Sequence, residues 1–125
     1  KMGLSKMSLI EQQAERAAAR VDANAVGFDP ITIISILTQV LPILLSCWNR
    51  NDSPDPAESA QKIRAYHNAH PNALRKRTAR RIRAEAAQPM EKYQSLQLAD
   101  AVIAQAISVD PQEASLCCAE APEGL

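Results

Sequence analysis

From Ile31 to Trp48 the chain reads ITIISILTQVLPILLSCW, eighteen residues without a charge. Asp29-Pro30 stands just ahead of it. An Asp side chain caps the first free amides of a helix, and a Pro at the first helical position loses no hydrogen bond. The β-branched start, Ile31 to Ile34, would also suit a short strand, but the opener, the length and the later leucines predict a helix. On a helical projection Thr32, Ser35, Gln39, Pro42, Ser46 and Asn49 recur at spacings of 3, 4, 3, 4 and 3, forming one narrow seam of small or polar groups. Ile33, Ile34, Ile36, Leu37, Val40, Leu41, Leu44, Leu45 and Trp48 crowd the remaining circumference and are the residues expected to meet a partner subunit. A helix apolar over most of its surface is surrounded either by protein or by lipid. At roughly 27 Å it falls just short of the roughly 30 Å hydrocarbon core of a bilayer. Gln39 and Pro42 near its middle favour burial in protein, with membrane anchoring through residues 31–48 as the alternative. Pro42 withholds the amide that would bond the Thr38 carbonyl, which predicts a kink.

The same opener returns at Asp55-Pro56 and Asp110-Pro111, each followed by a glutamate three residues after the Asp, Glu58 and Glu113. Ser8 with Glu11 makes a further capping pair. These marks predict an all-α chain of four to five helices. A thin, Ala-rich helix runs from about Leu9 to Ala23 and ends near Gly27, and the apolar helix follows. After the polar linker NRNDSPDP a third helix covers about Ala57 to Ala69 and breaks at His70-Pro71. Asn72 then caps a basic helix over Ala73 to Ala87, stopped by Pro89. The last full helix spans about Glu91 to Ser108, with Tyr93, Leu96, Ala99, Val102, Ile103, Ala106 and Ile107 as its apolar face, and a short turn follows Pro111. The organisation is one domain in three stretches: 1–27 Ala-rich, 28–49 apolar, and 50–125 carrying the basic helix and an acidic tail.

The basic helix, with its cap, reads NALRKRTARRIRAEAA. Leu74, Thr78, Ala79, Ile82 and Ala86 share one arc of about 140°, Lys76, Arg77, Arg80, Arg81 and Arg83 lie opposite, and Arg75 intrudes on the apolar side. Guanidinium groups pair bidentately with phosphate oxygens, so Arg75, Lys76, Arg77, Arg80, Arg81 and Arg83 are the candidate polyanion-binding set. The formal net charge of zero conceals how sharply charge is segregated. Lys62 to Arg83 holds eight basic and no acidic residues, whereas Ala84 to Leu125 holds seven acids and one lysine. Such a block is expected to meet nucleic-acid phosphates nonspecifically, or an acidic protein surface in the same or a neighbouring chain, or anionic lipid headgroups. No helix-turn-helix pattern, zinc-finger spacing or aromatic stacking platform accompanies it, so base readout is not expected.

Composition narrows the rest. With 125 residues the chain can bury a real core, and 46% apolar residues exclude generic disorder. Only Phe28, Trp48, Tyr66 and Tyr93 are aromatic and only three residues are glycine, which suits close-packed helices better than a β-fold. Three cysteines without framework spacing exclude a secreted disulfide scaffold. The first thirty residues carry Glu11, Glu15, Asp22 and Asp29 and show no secretory leader, so an intracellular or particle-associated location is expected. Buried apolar thiols are the expected state of Cys47, Cys117 and Cys118, with a Cys47 bond to Cys117 or Cys118 as the alternative. His67 and His70 sit at helical spacing, but adjacent Cys117-Cys118 makes a poor second ligand pair, so no metal is expected.

No nucleophile with a matched base, glycine-rich phosphate loop or paired carboxylates can be read, and neither enzymatic activity nor a cofactor is expected. The expectation is a non-enzymatic structural or assembly protein of a larger particle, virion-like or nucleoprotein. Its partners would be other protein subunits and, through nonspecific phosphate contacts, nucleic acid. The alternatives are a small membrane-associated protein and a regulatory or adaptor binding module.

Overall fold

The computed structural model describes residues 4–48 and 56–108 together with Ala121 and Leu125, with side chains from residues 10–48 and 58–108. Among these residues there are six helices and no strand: α1 (Leu4–Ala18), α2 (Ala23–Val26), α3 (Pro30–Cys47), α4 (Pro56–Ala69), α5 (Pro71–Glu85) and α6 (Lys92–Ser108). The chain is all-α.

The N-terminal stretch differs from the single helix that its pattern predicts. Ser8 lies inside α1 and opens no helix. The last turn of α1 tightens as the Arg20 and Val21 amides reach back three residues to the Ala17 and Ala18 carbonyls. Asp22 then accepts a bond from the Asn24 amide at 3.1 Å and starts α2, which ends on Gly27 in the left-handed region at φ 89°. A side chain at Gly27 would be strained by that φ and would also meet Gln94 Nε2 at 3.2 Å.

The start of α3 follows the predicted chemistry. One Asp29 oxygen accepts the Thr32 amide at 2.7 Å, the other accepts the Thr32 hydroxyl at 3.1 Å, and Pro30 opens the helix. These bonds, the amide one first, hold the Asp29 carboxyl below its ordinary value. The helix continues through Pro42, and the Thr38 hydroxyl bonds the Ile34 carbonyl at 2.7 Å. At the far end the unsatisfied carbonyls that any helix terminus leaves are taken up by α4. Ser59 donates to Leu45 at 2.6 Å and Lys62 donates to Trp48 at 3.2 Å. Trp48 also packs on Tyr66 with ring centroids 6.0 Å apart.

The polar seam of α3 is its outward face, with Ser35, Gln39 and Ser46 exposed and Thr32 and Pro42 half-buried. Opposite them Ile33, Ile36, Leu37, Val40, Leu41, Leu44, Leu45 and Trp48 are buried within the chain itself. Only Ile34, of the nine residues expected to meet a partner, stays half-buried. Within the chain, α1, α4, α5 and α6 all lie against α3, and their side chains occupy its apolar stripe. Among the described side chains of α1, residues 10–18, the fully buried ones are Ala14 and Ala17, small residues that let helices pack closely.

α6 touches all five other helices. Ala99, Val102, Ile103 and Ala106 of its predicted apolar face are buried, joined by Leu98, Ala101, Ser95 and Gln105, so burial extends round most of the helix. Tyr93 leaves that face and is 53% exposed. The expected caps at Asp55 and Asp110, the turn after Pro111, and Cys117 and Cys118 lie outside the described residues.

Candidate anion-binding site

The basic helix forms as α5, two residues earlier at its start and two earlier at its end than its pattern predicts, with His70 rather than Asn72 at its N-cap and Ala86 already extended. Its inner face is Leu74, Thr78, Ala79 and Ile82, all buried. Burying Leu74 and Ile82 is worth about 1.5–3 kcal/mol each and fixes which cations turn outward.

Five of the eight cations between Lys62 and Arg83 have partners inside the chain. Lys62 and Arg64 on α4 bond the Trp48 and Ile107 carbonyls, close to the C-terminal ends of α3 and α6. There a cation also meets the negative end of the helix dipole. Arg75 forks onto Asp100 of α6 through Nε at 2.7 Å and Nη2 at 3.0 Å. Arg83 Nη1 donates to the Ser95 hydroxyl at 2.7 Å. Arg81 lies 3.2 Å from Glu85, one turn along α5. Lys76, Arg77 and Arg80 have no protein partner among the described residues.

These placements divide the predicted set of six. Arg75, Lys76, Arg80 and Arg83, with Asn72 and Ala79, form one wall of a cleft of about 290 Å³ whose other wall is Lys92 and Leu96 of α6. None of the eight lining residues is acidic, and Ala79 and Leu96 supply its apolar part. Arg77 and Arg81 do not line it. Arg81 sits toward α3, where its charge opposes the burial that pushes the Cys47 thiol above its ordinary pKa. Lys92 is the cation missed in the sequence. It is the lone lysine of the acidic third, and only the packing of α6 on α5 brings it across from Arg80 and Arg83.

Arg75 and Arg83 are pre-positioned by their bonds to α6, whereas Lys76, Arg80 and Lys92 project free and exposed. The arrangement can hold a small, concentrated negative charge. Two fixed guanidinium groups keep N–H donors to spare, and three mobile cations can close from the rim.

His67 and His70 do not converge on a metal site: the His70 ring packs at a tilt against Tyr66, centroids 5.0 Å apart, while His67 lines a separate groove with Asn72, Arg75 and Asp100. Among the described residues no group of three or more His, Cys, Asp or Glu gathers as a metal-binding cluster. No known family matches the chain, and neither a curated protein nor a solved structure is detectably similar to it.

Proposed function

We propose that the chain is a non-enzymatic component of a nucleoprotein assembly that binds nucleic-acid phosphates through the α5–α6 cleft and the outer face of α5. The observation that carries this reading is the convergence of Arg75, Lys76, Arg80, Arg83 and Lys92 on one concavity with no acid in its lining. Like charges gathered in this way repel until an anion enters, and Arg-rich sets suit phosphate in particular. An acidic protein surface is the less favoured partner. The chain's own Asp100 and Glu85 already pair with the arginines nearest them, and what remains outward is a compact cationic patch. In this reading, contacts with other subunits use surface other than the buried stripe of α3.

The test is the salt dependence of binding to a labelled single-stranded oligonucleotide. With about four phosphates neutralised, log K should fall against log salt with a slope of about −3. Arg80→Ala or Lys76→Ala should each weaken binding regardless of base sequence and flatten that slope by about 1. Salt-independent binding, or none, would overturn the phosphate reading. Vesicles of anionic lipid provide the comparison arm for the headgroup alternative. α3 is long and apolar enough to cross a membrane by length and composition, although seven of its residues are buried in the chain.

A further inference from the structure

We propose that the α5–α6 cleft is a discrete seat for a phosphomonoester dianion, and that its occupant is the phosphorylated end of a nucleic-acid strand. The inference rests on the phosphate-binding reading above and narrows it from a charged face to one site.

Shape is the first argument. A backbone running across a helix presents one charge per phosphate, strung along its path, and is best matched by a row of cations on an open face. Here the cations come from two helices and surround a concavity of about 290 Å³. That lies at the lower edge of the range for small-ligand sites, roughly 300–1,000 Å³, with room for a phosphate and its sugar but not for a duplex. Charge is the second argument. Asp100 offsets Arg75, which leaves Lys76, Arg80, Arg83 and Lys92 uncompensated. A terminal phosphate carries about −1.5 to −2 at neutral pH and exposes three acceptor oxygens, against a single charge on an internal phosphodiester. Four cations around one point match the terminal group better.

Pre-organisation is the third. Arg83 is fixed through Nη1 to Ser95, itself bonded to the Lys92 carbonyl at 2.8 Å, so the floor of the cleft is tied to the first turn of α6. Little side-chain freedom is lost there when an anion arrives. The half-buried Leu96 and the buried Ala79 beside these cations offer an apolar surface for the sugar carbons. A free mononucleotide shares this chemistry. The strand is favoured because Arg77 neighbours Arg80 on α5 outside the cleft, where the next phosphates of a chain would lie.

Binding is compared for one single-stranded oligonucleotide carrying either a 5′-phosphate or a 5′-hydroxyl, labelled at its 3′ end. The phosphorylated strand should bind at least about tenfold tighter. Its advantage should fade below about pH 6, where the phosphomonoester dianion takes up a proton and becomes a monoanion. In Lys76→Ala/Lys92→Ala, which changes two exposed side chains and leaves the Arg83–Ser95 and Arg75–Asp100 anchors in place, the preference should disappear. In Arg77→Ala both strands should weaken by the same factor. Equal affinity for the two ends in the unmodified protein would overturn the cleft proposal while leaving the broader reading intact; failure of both strands to bind would overturn both. A nucleoside monophosphate that binds as tightly as the phosphorylated strand would overturn the strand end as occupant.

Discussion

Gln105 and Asp29 show how differently two polar side chains are stabilised in the same chain. Gln105 is buried on α6, where its Nε2 donates to Gln13 Oε1 on α1 and its Oε1 accepts Arg20 Nε at 3.1 Å. Replacing one member strands the other in the core, so Gln105→Leu should destabilise the fold by about 1–3 kcal/mol in urea unfolding. Gln105 falls seven residues after Leu98 and three after Val102, on the buried face of α6, but which side chains satisfy it there depends on what stands opposite it. Asp29, by contrast, is exposed and held chiefly by Thr32. Its lowered pKa means that its contribution is fully present above the unfolded-state value, near 3.8, and is lost as the pH falls through the folded-state value. Asp29→Ala should therefore lower the unfolding midpoint at neutral pH, and the gap to the parent protein should narrow in acid.

At the scale of elements, α3 shows how far a hydrophobic pattern reaches. The seam at spacings of 3 and 4 marks a helix with one weak side, and that side is the exposed one. Sequence could not say whether the rest faces a second chain or this one, since an apolar stripe is indifferent to whose side chains cover it. Leu41→Ala should cost about 2–5 kcal/mol by opening a cavity at a fully buried position, even in dilute monomer. Ile31→Ser, at a position 80% exposed, should leave stability nearly unchanged. Equal effects of the two in a concentration-dependent unfolding series would return the stripe to an intermolecular role. The ends of α3 divide in the same way. Its N-terminus is local, set by Asp29-Pro30, whereas its C-terminus depends on Ser59 and Lys62 from the following helix.

Across the whole molecule, the +8 block between Lys62 and Arg83 resolves into two populations. Five of its cations bond helix ends, carboxylates or Ser95, while Lys76, Arg77 and Arg80 have no protein partner among the described residues. The proposed salt slope and the proposed end preference both belong to this scale, because they depend on charges from separate helices acting on one ligand. Four of the six predicted cations line the cleft, yet Lys92 was invisible among acidic neighbours. Helical class, the start of α3 and the inner face of α5 were legible from residues alone, because caps and periodicity act within a few positions along the chain. The restart at α2, the central position of α6 and the convergence of Arg83 with Lys92 were decided only in three dimensions. Each depends on which surfaces meet when the helices pack, and pairing between distant segments leaves no periodic trace in either one.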